Sequence, residues 1–183
     1  MRKTVAHLFS TVDGAVDDPS RFQFDSFDAG VAAAMERHLS TVDAMLLGRV
    51  LYEEWADYWP GHDDPDDFGA FINPLRKYVV SSTLQEPLAW QNSTLLHGDP
   101  MDAVRALKHA EGRDIAVGGI TMIRSLLDHN LLDELILTVH PALAGIGRRL
   151  MYNHEHVVRL VLVAHEATEK GNLVLTYRKR PRH

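Results

Sequence analysis

Cysteine is absent from all 183 positions, and that removes disulfides, thiolate nucleophiles, iron–sulfur clusters and cysteine-type zinc sites together. Such a chain is expected in a reducing compartment, and the reading is cytoplasmic. Long apolar runs are missing too. Nothing approaches the ~18 consecutive apolar residues of a membrane span. The opening MRKTVAHLF is interrupted at His7 after a few apolar residues, too short for a secretory signal. The third absence is a surplus of positive charge. With 19 Lys and Arg against 25 Asp and Glu, a formal charge of -6, the chain lacks the basic surface that a phosphate backbone requires, so nucleic acid is not an expected partner. The basic stretch from Tyr177 to His183 reads as the solvated end of a last strand.

What is present suits one globular domain over residues 1–183, with 45% hydrophobic residues. Short apolar runs and helical patterns take turns. Strands are expected at Thr4 to Phe9, Ala44 to Leu47, Lys77 to Val80, Thr94 to Leu96 and Ile115 to Val117. Between them, Val31, Met35 and Leu39 form one helical stripe after a cap at Ser26 or Asp28, and a second helix runs from about Arg49 to Tyr58. Asp99-Pro100 has the order of a helix start, and a further helix follows Gly119, with Ile120, Ile123, Leu126 and Leu127 on its buried face. From Leu135 the chain is strand only: ELILTVH, VVRLVLVA and LVLTYRK, the last two joined by a turn around Lys170 to Asn172. The alternating part predicts parallel strands with crossover helices, and the end predicts antiparallel strands on the same sheet. The fold class is therefore α/β.

Ligands of open α/β sheets bind beyond the carboxyl ends of the parallel strands. The residues there are Ser10, Thr11, Val12, Asp13 and Gly14 after the first strand, Gly48 and Arg49 after the second, Ser81, Ser82 and Thr83 after the third, and Gly118 and Gly119 after the fifth. Such a collection fits a phosphorylated ligand. The first helical turn at Ile120, Thr121 and Met122 offers free N–H groups to a diphosphate, and Arg49, Ser81 and Ser82 would suit a phosphate monoester such as the 2′-phosphate of NADP. Each signal alone also has a plainer structural explanation: close helix–strand packing for the Gly-Gly pair, a polar turn for the serines, a surface ion pair for Arg49.

Taken in order, MLLGRVLYE (Met45 to Glu53), KYVVSSTL (Lys77 to Leu84), DIAVGG (Asp114 to Gly119) and DELILTVHPALAGIGRRLM (Asp133 to Met151) resemble the dihydrofolate reductase-like family. The branch they resemble is that of the C-terminal reductase domain of the bifunctional riboflavin-biosynthesis deaminase/reductase, and the likeness includes STVDG, Ser10 to Gly14. The resemblance implies a three-layer fold, with a mixed, mostly parallel eight-stranded sheet, a C-terminal antiparallel hairpin and helices on both faces. It also implies an NADPH-dependent reductase that passes hydride to a small conjugated or heteroaromatic compound of the pyrimidine or pterin class. Carried over by position, Gly48, Arg49, Ser81 and Ser82 would surround the 2′-phosphate, with Thr83 beside them. Gly118, Gly119, Ile120, Thr121 and Met122 would hold the diphosphate, and Val12 to Gly14 would border the nicotinamide. Asp13 is the candidate catalytic acid, with a turn-capping role as the alternative. A homodimer is expected, since family members often pair.

Two features depart from the family. Leu51 stands where a threonine is common, and no helix carboxylate matches the one with which dihydrofolate reductases hold a pterin, Asp28 lying at the polar start of its helix. The alternative function is therefore a nucleotide or small-molecule binder of the same fold without turnover. No metal site is expected: His154 and His156 lack a third ligand, and the aspartates of HDDPDDFG lack the order of a calcium loop. Trp55, Trp59, Phe68 and Phe71 read as a hydrophobic cluster that could line a substrate pocket.

Overall fold

Side chains alternate in direction along each inner strand and divide the chain's apolar residues between two faces of one sheet, both of them covered. In a computed structural model of the chain, describing residues 1–62, 68–153 and 155–180, the strands are β1 (Thr4–Thr11), β2 (Val42–Gly48), β3 (Arg76–Val80), β4 (Ser93–Leu96), β5 (Asp114–Gly118), β6 (Glu134–His140), β7 (Leu160–Ala167) and β8 (Leu173–Lys179). The helices are α1 (Ala29–Leu39), α2 (Arg49–Tyr58), α3 (Phe68–Ile72), α4 (Pro100–His109) and α5 (Ile120–Asp128). The four aspartates of 63–67, His154 and the last three residues of the basic tail lie outside the described residues.

The eight strands form a single sheet in the order β4-β3-β2-β5-β1-β6-β8-β7. All pairings from β4 to β6 are parallel, and β8 joins antiparallel to both β6 and β7. This is the mixed, mostly parallel sheet with a C-terminal hairpin that the resemblance implies. Two differences in detail have local causes. The apolar run from Val157 joins the sheet only at Leu160, and the strand continues through the polar His165 and Glu166 because these pair with Leu175 and Val174 across an irregularity at Leu162/Ala164. The short helix α3, not expected from the sequence, has its end held by Lys77, as described below.

Leu46 of β2 points to one face, with Ala6, Ile115 and Val117, and packs against Met122, Ile123, Leu126 and Leu127 of α5 and Val104 of α4. Its neighbours Met45 and Leu47 point to the other face, with Val79 and Ala116, and pack against Tyr52 of α2 and Ile72 of α3. Adjacent strands β2 and β5 thus send their following helices to opposite faces. This divergence leaves a crevice between the carboxyl ends of the two strands, the topological switch point where α/β sheets bind ligands.

The two ends of the sheet differ in how their charges are used. At the amino-terminal end Arg2 is paired with Asp43, and buried Lys108 with Asp133, so that edge is closed by internal ion pairs. The carboxyl end holds the uncapped helix starts.

Candidate functional site

Gly48 ends β2 and caps α2; Gly119 follows β5 and caps α5. Neither helix start receives a hydrogen bond from a capping side chain, whereas α1 and α4 are capped by Asp28 and Asp99, which accept from Val31 and from Met101 and Asp102 respectively. The first N–H groups of an α-helix have no intrahelical partner. Two sets of open donors, with the positive ends of two helix dipoles, therefore converge on the crevice. Gly119 has φ +97, a conformation that favours glycine, and a Cβ built there would meet only the Gly48 nitrogen and Leu51 Cβ, each at 3.9 Å. The two glycines are backbone neighbours at the crevice floor.

Gly118 has a different role. A Cβ there would lie 2.8 Å from Leu51 Cδ2 and Met45 Cε and 2.9 Å from Leu47 Cδ2. Its missing side chain serves the packing of α2 against the sheet, with Leu51 filling the space. The Gly-Gly pair thus divides into one glycine for packing and one for the turn into α5.

The crevice opens into a cleft of about 880 Å³. Of the residues singled out in sequence, Gly48, Arg49, Gly118, Gly119, Ile120, Thr121 and Met122 line it together. Arg49 donates to Glu53 Oε2 at 2.6 Å in an exposed i,i+4 pair. Such a pair is worth only about 0.3–0.5 kcal/mol, so a phosphate can displace the carboxylate cheaply.

Val12, Asp13, Gly14, Ser81, Ser82 and Thr83 are not among the lining residues. Ser81 Oγ accepts from the N–H groups of Thr83 and Leu84 at 3.1 and 3.0 Å and lies 3.4 Å from Thr83 Oγ1, organising its own turn. The geometry does not favour Asp13 as an acid. One carboxylate oxygen accepts from the Thr11 hydroxyl (2.6 Å) and Ala144 N–H (3.0 Å), the other from Gly145 N–H (2.8 Å). These donors, the Thr11 hydroxyl first, hold its carboxyl well below the usual range, the opposite of what a proton donor needs. Asp13 clamps the loop around Ala144 to the end of β1.

One wall of the deep half of the cleft is the Trp55, Trp59, Phe68 and Phe71 cluster that the sequence offered as a pocket lining; the opposite wall carries no sign of a site in sequence. Met35, His38 and Leu39 of α1 and His7 and Phe9 of β1 line it. The stripe of Val31, Met35 and Leu39 looks uniform in sequence, yet Val31 is fully buried while the other two face the cavity. No carboxylate of α1 faces the cleft among its lining residues; Asp28 is spent on the Val31 and Lys170 N–H groups.

His7 Nε2 meets Thr138 Oγ1 at 2.8 Å, and its ring lies 5.8 Å from that of His38. Burial, then the proximity of His38, pushes His7 down to about 3; burial also lowers His38 and His140. The unfolded chain therefore takes up protons that the folded one refuses, and stability falls as pH drops from 6.5 towards 3. For His7 alone the expected loss between pH 6.5 and about 4.5 is roughly 2 kcal/mol. Urea unfolding across that range checks this, and a midpoint that does not move would contradict it.

The comparison with known proteins settles the family. Residues 2–174 match the profile of the RibD C-terminal domain. The chain belongs to the RibD C-terminal domain family. Among relatives in this family's range, protein YyaP of Bacillus subtilis (strain 168), itself uncharacterised, is 25% identical over 180 residues, covering 96% of this chain and 94% of that protein. A pyrimidine reductase-like protein from Corynebacterium diphtheriae shares the fold with a TM-score of 0.65 and 14% identity, covering 99% of this chain and 93% of that one. The Thermotoga maritima diaminohydroxyphosphoribosylaminopyrimidine deaminase/5-amino-6-(5-phosphoribosylamino)uracil reductase superposes with a TM-score of 0.68 at 15% identity, covering 98% of this chain but 57% of that longer one. RibD C-terminal domain membership agrees with the dihydrofolate reductase-like branch expected from the sequence motifs.

Proposed function

We propose that the chain is an NADPH-dependent reductase of the pyrimidine reductase-like kind, acting on a small conjugated compound. The observation that carries this reading is the pair of uncapped helix starts at Gly48 and Gly119, facing one crevice at the switch point of the sheet. The N–H groups of Ile120, Thr121 and Met122 hold the diphosphate, Thr121 adds a hydroxyl, and Arg49 exchanges Glu53 for the 2′-phosphate, with Ser81 and Ser82 beside it. Bound there, NADPH supplies a hydride. The residues of the deep half would position the acceptor, and the one proton that balances the hydride would come from solvent entering at the mouth of the cleft.

The family membership and the structural relatives named above support the same class. The test is thermal stabilisation by added nucleotide, which grows as RT ln(1 + [L]/Kd). NADPH is expected to stabilise the chain more than NADH does. Absence of any shift with either would defeat the reading. A shift without NADPH oxidation across pyrimidinones, pterins, flavins and quinones would favour a binding protein of the same fold, the reading to which the leucine at position 51 points.

A homodimer is part of the proposal. Val161, Leu162 and Val163 of the edge strand β7 are 44–46% exposed, an apolar edge that a second copy would cover. Light scattering is expected to give twice the chain mass, and Leu162→Lys to halve it; a monomeric wild type would contradict this.

A further inference from the structure

Charge and apolarity are unevenly distributed along the cleft, and the unevenness bears on what the deep half can accept. Among the described residues, Arg49 and Arg148 are the only arginines on the lining, and no lysine lines it. Arg49 stands at the β2 end, on the cofactor side. Arg148 lies at the exposed mouth, 3.5 Å from Asp17 and with Asp18 also on the lining, so an anion approaching it meets two carboxylates. Glu54 adds a third acid to the wall.

Inside, the walls are Met35, Leu39, Met45, Trp55, Phe68 and Phe71. The aromatic side is built from edge-to-face contacts, with the Trp55 ring 5.7 Å from Phe68 and the Trp59 ring 5.2 Å from Phe68. Among the described residues, two buried polar atoms on residues that line the cleft have no hydrogen-bond partner: Trp59 Nε1, a donor, and Gln23 Oε1, an acceptor. Buried polar groups are normally satisfied, and an unpaired donor and acceptor beside a cavity select a ligand that completes them.

We infer that the deep half of the cleft takes a flat, uncharged, conjugated ring that offers a carbonyl oxygen to Trp59 and carries no phosphate. The conjugation of that ring rests on the reductase reading; its lack of charge rests on the lining alone. In the deep half, a phosphate such as the one in the name of the Thermotoga reductase's substrate has no arginine or lysine among the described wall residues to pair with, and burying it there costs its desolvation.

The test uses the full chain saturated with NADP⁺, which binds without turnover, and measures binding of 1-naphthol, 1-naphthyl phosphate and 1,4-naphthoquinone by titration calorimetry. The two naphthyl compounds share a ring and differ by the phosphate. The naphthol and the quinone are expected to bind, with the phosphate ester weaker by about tenfold or more. Trp59→Phe keeps the ring and removes the N–H, so it is expected to weaken the quinone by about tenfold while NADP⁺ binding is unchanged. Naphthyl phosphate binding as tightly as naphthol, or neither uncharged ring binding a chain that does bind NADP⁺, overturns the inference. An unaltered quinone affinity in Trp59→Phe overturns the assignment of that N–H. Failure of NADP⁺ itself to bind, with the preference for uncharged rings retained, sinks the cofactor reading and leaves this one standing.

Discussion

Gly48→Val is expected to weaken NADPH binding by about a hundredfold or more while leaving the melting temperature of the free protein nearly unchanged. Gly48 has φ -80 and ψ 160, ordinary extended backbone that any residue adopts. A Cβ there would meet only Met122 Cβ, at 4.0 Å, in otherwise open space. The valine would therefore fold without strain and fill the crevice where the diphosphate is placed, beside donors that would then be occluded. Gly118→Val, one strand over, should do the reverse. Three side-chain atoms stand within 2.9 Å of its Cβ position, so the substitution overpacks the joint between α2 and the sheet and costs roughly 1–3 kcal/mol or more. Calorimetric titration with NADPH beside thermal unfolding separates the two. Equal binding by Gly48→Val and wild type would show that the nucleotide does not use this crevice.

Lys77→Met is expected to be the most destabilising single substitution near the site, by roughly 3 kcal/mol, or about 10 °C for a chain of this size. Lys77 is fully buried. Its ammonium donates to the carbonyls of Ile72 (2.9 Å), Asn73 (3.0 Å) and Leu75 (2.8 Å) and sits 4.3 Å from the centre of the Trp90 ring. Burial pushes the amine down to about 8, still mostly charged at neutral pH. Those carbonyls end α3 and begin the turn into β3, so the cation ties down a five-residue helix too short to hold itself. Methionine has similar length but donates nothing, so the Ile72 and Leu75 carbonyls lose this donor and the Asn73 carbonyl keeps only the longer contacts with the Gln91 and Asn92 amides, at 3.5 and 3.3 Å. Because α3 carries Phe68 and Phe71 into the cleft wall, the variant should also lose affinity for ring compounds before it loses nucleotide. Wild-type stability in the variant, measured by urea unfolding, would show that the lysine is dispensable to α3.

The strands and most helices were legible because their signals are local: alternation sets the faces of Met45, Leu46 and Leu47, and Asp99-Pro100 or Gly48-Arg49 marks a helix start. The rim of the cleft was legible for the same reason, since it is built from residues that follow strand ends. The deep half was legible only on its aromatic side, where Trp55, Trp59, Phe68 and Phe71 already read as a cluster that could line a pocket. His7, Met35 and His38 belong to a strand and a helix whose patterns read as core, and only the packing of α2 and α3 decides which of their turns face a cavity. Gly118 and Gly119 look alike in sequence; the neighbours at 2.8 Å in one case and 3.9 Å in the other separate them. Asp13 presents the same problem in reverse. It sits in a suggestive Asp-Gly loop, but besides the nearby Thr11 hydroxyl the donors that occupy its carboxylate come from Ala144 and Gly145, far along the chain. Lys77, inside an apolar strand, carries no sequence sign of the helix end that it holds.

The most direct test of the central claim is a crystal of the chain grown with NADP⁺. The account predicts diphosphate oxygens accepting hydrogen bonds from the N–H groups of Ile120 to Met122, between Gly48 and Gly119. A nucleotide bound elsewhere, or a crevice between those glycines left empty while the nucleotide occupies another surface, would contradict it.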